Sequence, residues 1–210
     1  MLIRKLVSSV ALLVPFAITL EIERRDVDVQ HLLAALPRFG KSYSLAAVAV
    51  YKLKFSSADE FSNGQEVTFM NDMAESVSGY ADGFREFSEA TNITEIQGEK
   101  LSKAYKLFCE SQCGYFTELV SLRSDLQGFE KVTEFFQLER NMEASLSNVN
   151  GAQVELYVSI EDVIKANKQE SHTGSLLNLN NGEETFTEAI NPAITAWRNR
   201  YEPATCSQGL

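Results

Sequence analysis

Three cysteines and two histidines are the side chains of this 210-residue chain that are best suited to covalent or metal chemistry. Cys109 and Cys113 stand four residues apart, so on a helix both sulfurs face the same neighbour. Neither His31 nor His172 has ligand spacing to them, and the pattern therefore indicates no metal site. A bridge between Cys109 and Cys113 would constrain one helical turn only, so the expected structural disulfide joins one of them to Cys206.

Enzyme motifs are missing from the sequence. It contains no Gly-x-Ser-x-Gly elbow, no His-Glu-x-x-His, no phosphate-binding glycine loop and no dinucleotide fingerprint. The acidic pairs at positions 59–60 and 183–184 fit the negative charge that stabilises helix N-termini. Both histidines fit ordinary surface or core positions. We therefore expect a protein without catalytic activity and without a cofactor.

The N-terminus has the pattern of a secretory signal peptide, which we place at residues 1–19. Arg4 and Lys5 precede an apolar run over residues 6–16, and small residues suited to cleavage follow it. A transmembrane anchor is the alternative, but the apolar run is shorter than the roughly 18 residues that a membrane span needs. The pattern predicts a secreted protein, extracellular or in the cell wall, with no transmembrane anchor in its mature form.

A dibasic pair, Arg24-Arg25, follows the predicted signal peptide. Because secretory-pathway proteases cut at such pairs, residues 20–25 are either a short propeptide or an ordinary charged linker. The remaining chain divides into an expected helical domain over residues 26–201 and a C-terminal tail over residues 202–210.

Composition and charge narrow the set of partners. The chain is 44% hydrophobic and 10% aromatic, which is ample for a packed core, and its formal net charge is −10. We do not expect so acidic a chain to bind nucleic acid or anionic membranes, because the positive charge that would neutralise phosphates is missing.

The helical pattern is strongest between Gln65 and Glu89. Apolar residues recur there in steps of three or four, the spacing of an amphipathic helix with one buried stripe. The stripe consists of Val67, Met70, Ala74, Val77, Ala81, Phe84 and Phe87. Similar spacing in the rest of the chain predicts an all-α fold, a single bundle of five or six amphipathic helices.

Several helix boundaries can be placed from capping residues. Asp26 or Asp28 is expected to cap the first helix, and Pro37 to kink or end it. Thr94 and Gln97 match a capping box, and Asn92 just before them begins an N-glycosylation sequon, Asn-Ile-Thr. Both patterns place a helix boundary on an exposed segment here.

The remaining elements are less regular. Residues 43–55 are expected to be helical again, with a buried strand over residues 46–53 as the alternative, because short apolar runs are ambiguous. Residues 129–146 and 154–164 are expected to be two helical stretches. Residues 171–182 have the composition of turns, and a last helix is expected from about Glu183 with a kink at Pro192.

Aromatic residues carry the ligand hypothesis, although most of the 13 phenylalanines are expected simply to form a packed core. Two glycines in the central helix cost it about 1 kcal/mol each, which suggests that another helix or a ligand approaches its backbone. Glycines also remove side-chain volume where phenylalanines supply an apolar wall. If a ligand cavity exists, we expect it to be lined by Gly79, Gly83, Phe84, Phe87, Phe108 and Phe116.

The junction Arg24-Arg25-Asp26-Val27 and the acidic helical pattern that starts with Val27-Asp28-Val29-Gln30 resemble a known family. They are similar to the small secreted fungal proteins of the hydrophobic surface-binding protein A family, which includes the cell wall mannoprotein (galactomannoprotein) antigens. The resemblance covers roughly residues 26–170. It implies a non-catalytic helical domain that binds hydrophobic surfaces or holds lipids such as fatty acids in an internal tunnel.

Two functions are compatible with these patterns. The first is a secreted module that binds lipids or hydrophobic surfaces, with a fatty acid or similar lipid as the expected ligand. The second is a secreted effector or wall-structural interaction protein with a solid core. An internal void lined by Phe and Met would favour the first function, and a close-packed centre with one exposed apolar patch would favour the second.

Overall fold

The computed structural model describes residues 28–53, 65–88, 93–126, 133–166 and 173–199, without the side chains of residues 53, 87, 88, 133–136 and 199. The described residues form helices and no strand, which confirms the all-α bundle. The helices are α1 (Val29–Leu53), α2 (Gln65–Ser88), α3 (Glu95–Asp125), α4 (Thr133–Ala166) and α5 (Thr173–Asn199). The predicted signal peptide, dibasic site, glycosylation site and Cys206 lie outside the described residues and stay predictions.

Helices α1, α3 and α5 lie side by side as a three-helix layer with α3 in the middle. They run parallel to one another, because contacts advance in the same direction along both members of each pair. Gly40 of α1 lies against Ser111 of α3, and one or two turns later Ala47 lies near Gly114. Between α3 and α5 the corresponding contacts run from Lys106–Gly182 to Phe116–Phe186.

Glycines allow the helices of this layer to approach closely at both seams. A Cβ added at Gly40 would lie 2.7 Å from Oγ of Ser111, and one added at Gly182 would lie 3.0 Å from the backbone Cα of Lys106. The chain therefore uses glycine inside two helices where a neighbouring helix occupies the space of a side chain.

Helices α2 and α4 form a two-helix layer and also run parallel. Asn148 donates to Asn71 near one end of the pair, and Ser159 donates its hydroxyl to the carbonyl of Ala81 at 3.1 Å near the other. Contacts such as Tyr157–Asn180 show that α4 runs antiparallel to α5, so the chain alternates direction and layer from one helix to the next.

The hydrophobic core lies between the two layers and receives side chains from all five helices. Its largest fully buried side chains include Tyr43, Phe84, Phe108, Phe116 and Phe186. Aromatic rings therefore fill most of the space where the layers meet, and burying each ring stabilises the fold by about 2–3 kcal/mol.

The caps follow the sequence closely. Asp28 accepts the backbone N–H of His31 at 2.9 Å at the start of α1. Before α3, the Thr94 hydroxyl accepts the N–H of Gln97 at 3.3 Å and the Gln97 side chain accepts the N–H of Thr94 at 2.9 Å. The predicted capping box is confirmed.

Three element predictions are wrong or incomplete. Helix α1 does not end at Pro37 but continues to Leu53, and this confirms the expected helix over the described residues 43–53 against the alternative strand. Pro37 is exposed, so the carbonyl that loses its helical partner can bond to water instead. Residues between 146 and 154 join the two expected stretches into one helix, α4, of 34 residues.

The predicted polar loop over residues 171–182 is the third correction, because α5 already begins at Thr173. Ser175 and Leu179 are buried in the core, and Gly182 makes the close contact with α3. Tertiary packing on α3 therefore overrides the low helix propensity of the Gly and Asn residues in this segment.

Candidate functional site

Phe108 and Phe116, two of the predicted cavity residues, lie in a cluster of aromatic rings in the core. The centroid of the Phe108 ring is 5.9 Å from that of Phe39 and 6.1 Å from that of Tyr43. The Phe116 ring lies 6.0 Å from Tyr43 and 5.9 Å from Phe186. These are ordinary packing distances for aromatic pairs, so other rings occupy the space beside both phenylalanines.

The remaining predicted cavity residues lie on α2. Phe84 is completely buried, whereas Gly79 and Gly83 are half-buried. Phe87 belongs to α2, but its side chain lies outside the described set. Tyr80 connects this helix to the aromatic cluster, since its ring lies 5.4 Å from Phe39.

Cys109 and Cys113 are both buried and in the thiol form. The thiol of Cys113 lies 4.0 Å from the carbonyls of Cys109 and Thr185, at the seam between α3 and α5. Cys206 lies outside the described residues, so the predicted bridge stays a prediction. Its formation would require the tail to reach a sulfur shielded by the surrounding helices.

A chain of buried polar groups crosses the bundle beside Cys109. We call Tyr105, Cys109, Gln112, Gln153 and Glu183 the interior polar cluster. Tyr105 donates its hydroxyl to Glu183 at 2.5 Å and accepts the Gln153 amide at 2.9 Å. The same amide lies 3.3 Å from the Cys109 sulfur, and Gln112 donates to the Gln153 carbonyl oxygen at 3.5 Å.

Burial controls the protonation of this cluster. It raises the pKa of the Glu183 carboxyl, although the Tyr105 hydrogen bond partly opposes the shift. It also raises the pKa of the Cys109 thiol, with Glu183 adding to the effect, so the sulfur stays protonated and is a poor nucleophile. The cluster links α3, α4 and α5 and fixes their register, but it provides neither an activated nucleophile nor a histidine base.

A second buried carboxyl lies near the start of α2. Glu66 is only 8% exposed, although the sequence places most acids of this helix off the buried stripe. Burial raises the pKa of the Glu66 carboxyl. The pKa of Tyr115 is also raised, first by burial and further by the negative charge of Glu66. The hydroxyl of Tyr115 is buried without a hydrogen-bond partner among the described residues.

The outer side of α1 carries a stripe of exposed residues that sequence reasoning missed. Lys41, Leu45, Val48 and Lys52 follow one another at steps of four, three and four, so they lie along one face of the helix. Leu45 is 40% exposed and Val48 51%. We call these four residues, with the neighbouring Tyr51, the α1 stripe.

Beside the α1 stripe, α3 has a glycine and therefore no side chain at position 114. Gly114, on the outer side of α3, is exposed and would place a Cβ 4.0 Å from that of Ala47. Further along the outer side of α3, Ile96 and Leu107 are each 65% exposed. The outer face of the three-helix layer therefore presents apolar side chains on two adjacent helices.

Charge is divided unequally between the two layers. Helix α1 contains three Arg or Lys residues and no Asp or Glu. By contrast, α2 contains five acids and one base, and α4 contains six acids and two bases, so each carries a formal charge of −4. The two-helix layer thus holds most of the negative charge, whereas the three-helix layer is formally neutral, with the positive charge of α1 balanced by α3 and α5. The sequence shows that α1 contains no acids. It does not show that the two most acidic helices form the other layer, because that depends on which helices pack together.

Comparisons with family models, with curated proteins and with solved structures find no match. The resemblance to the hydrophobic surface-binding protein A family therefore rests only on residues 24–30 and on the helical pattern of the sequence. Within the described helices, none is long and apolar enough to cross a bilayer, and no group of three potential metal-ligating side chains comes together.

Proposed function

We propose that the protein is a non-catalytic, secreted binding module that attaches to hydrophobic surfaces through the outer face of α1 and α3. The observation that carries this proposal is the exposure of Leu45 and Val48 on α1 and of Ile96 and Leu107 on α3. Of the eight large hydrophobic side chains that the described residues expose, five lie on α1 and α3, and such a grouping is typical of interaction sites.

The packing of the interior supports attachment from outside over uptake into a tunnel. Rings from α1 and α5 lie 5.9–6.1 Å from Phe108 and Phe116 of α3. An acyl chain between these helices would have to displace rings that already bury each other. A close-packed centre with an exposed apolar patch is the feature expected of the second function, so the proposal joins that solid-core architecture to the binding of hydrophobic surfaces from the first.

Adsorption of the secreted protein, without the predicted signal peptide over residues 1–19, to octyl-substituted beads tests the proposal. We expect the double variant Leu45→Ser/Val48→Ser to lose most of its retention, because it removes the central apolar part of the α1 stripe. The matched control is Val154→Ser/Val158→Ser on α4, whose side chains are 43% and 38% exposed. Equal retention of the two variants would contradict the proposed surface, and no retention of the parent protein would contradict surface binding itself.

Uptake of a fluorescent fatty acid tests the tunnel separately. Gly83→Leu adds an apolar side chain to the predicted cavity wall on α2. A solid core predicts no saturable uptake by either the parent or the variant. Saturable uptake that Gly83→Leu abolishes would instead establish the internal site.

A further inference from the structure

The arrangement of charge around the α1 stripe identifies the kind of surface that fits it. Lys41 and Lys52 bracket Leu45 and Val48, so a basic group stands at each end of a short apolar segment. From Lys41 to Lys52 the stripe spans about 16 Å at the rise of an α-helix. Lysine stems can lie along an apolar surface while their ammonium groups reach polar groups beyond it.

The cations of α1 have no competing acids on their own helix. Among the described residues, no carboxylate forms an ion pair with Lys41 or Lys52, whereas Lys103 and Lys106 on α3 pair with Glu99 and Glu110. The positive charge of the α1 stripe is therefore available to an external partner.

We propose that the α1 stripe docks on an anionic lipid surface, with Leu45 and Val48 inserted between headgroups and the two lysines bound to lipid phosphates. This proposal rests on the proposed function and specifies its partner. A basic helix face with apolar residues, lying in the plane of the interface, is the usual geometry of peripheral membrane attachment.

The separation of charge between the layers orients the molecule at such a surface. The chain as a whole carries a charge of −10, the reason that composition alone argues against binding to anionic membranes, and this charge would repel such a surface at long range. At physiological ionic strength the Debye length is about 8 Å, so charges on the far layer are largely screened. With the two-helix layer facing water, the basic helix α1 meets the lipid and the acidic layer points away.

Vesicle co-sedimentation of the secreted protein, without the predicted signal peptide over residues 1–19, tests the proposal, with phosphatidylcholine vesicles compared with vesicles that also contain phosphatidylglycerol. We expect binding to the anionic vesicles that weakens as NaCl is raised. Lys41→Gln/Lys52→Gln should weaken this binding on the order of tenfold or more, because each cation near an anionic surface contributes to affinity. The matched control, Arg140→Gln/Lys165→Gln on α4, changes the net charge equally and should bind like the parent.

The outcomes separate this proposal from the function on which it rests. Equal binding to both vesicle types, with adsorption to octyl beads intact, would overturn the anionic-lipid proposal and leave surface binding standing. Loss of binding to vesicles and beads alike would overturn both. Dimerisation that depends on Lys41 and Lys52, without vesicle binding, would overturn it in favour of a second copy as the partner. Circular dichroism and urea midpoints equal to those of the parent confirm that the variants are folded.

Discussion

Glu183 makes the stability of this bundle depend on pH. Its carboxyl lies in the interior polar cluster, and burial raises its pKa above the ordinary value of 4.5. The folded state therefore holds this proton more tightly than the unfolded chain does. The contribution of Glu183 to the free energy of unfolding is largest below pH 4.5, and it falls as the pH rises through the raised pKa.

Replacing Glu183 with Gln should remove this dependence. The glutamine side chain stays neutral and keeps an oxygen that can accept the Tyr105 hydroxyl, so we expect the variant to be more stable than the parent at pH 8 and similar to it at pH 4. Urea denaturation at the two pH values measures the difference. Glu184→Gln, at the exposed neighbouring position, is the control and should show no such change. A difference between Glu183→Gln and the parent that is the same at both pH values would refute the assignment.

Two glycines in helix interiors should respond to alanine with opposite signs. At Gly182 a Cβ would lie 3.0 Å from the Lys106 backbone, so Gly182→Ala should destabilise the protein by about 1–3 kcal/mol. At Gly151 nothing lies within 4 Å of the added carbon, and Gly151→Ala should stabilise α4 by about 1 kcal/mol through helix propensity. Thermal denaturation of both variants checks the pair. Stabilisation by both substitutions would mean that α3 and α5 do not approach closely.

At the scale of the elements, capping motifs and apolar spacing predicted the helices better than the amino-acid composition of a segment did. The capping box at Thr94 and the spacing of apolar residues in α2 need only neighbours in sequence, and both are confirmed. The turn prediction for residues 171–182 is wrong from Thr173 onward because Asn and Gly favour turns in isolation, whereas burial of Leu179 and the contact of Gly182 hold residues 173–182 in a helix. Likewise, the sequence alone does not predict the α1 stripe, because the exposed side of α1 depends on how α1 packs against α2 and α3.

The capping box gives a direct test at this scale. Thr94→Ala removes the oxygen that accepts the Gln97 N–H, and we expect a loss of about 1 kcal/mol in the free energy of unfolding. Thr94→Ser keeps the hydroxyl and should restore most of that stability. Urea denaturation of the two variants, produced in bacteria so that Asn92 carries no glycan in either, measures the cap. A serine variant as unstable as the alanine variant would show that the threonine methyl, not the hydroxyl, is responsible.

At the scale of the whole molecule, the alternating path of the chain places its two most acidic helices next to each other. Helices α2 and α4 are separated by α3 in sequence, yet they lie side by side and parallel in the two-helix layer. Each carries a formal charge of −4, so their exposed carboxylates repel one another. The sequence gives the net charge of the chain. It does not show that the negative charge is concentrated in one layer, because that depends on which helices become neighbours.

This repulsion should make the protein more stable as salt is added. Between 10 and 150 mM NaCl the Debye length falls from about 30 Å to about 8 Å, so repulsion across the two-helix layer weakens. Asp72→Asn/Glu75→Gln removes two exposed charges of α2 and should stabilise the protein in low salt and flatten its response to NaCl.

The control makes the same kind of change in the three-helix layer. Glu99→Gln/Glu110→Gln breaks ion pairs with Lys103 at 2.6 Å and Lys106 at 3.8 Å, so it should not stabilise the protein in low salt. Surface charges contribute roughly 0.2–1 kcal/mol each, and urea denaturation across a NaCl series resolves effects of that size. If NaCl changes the stability of both double variants equally, the salt effect arises from the net charge of the whole chain and not from repulsion within the two-helix layer.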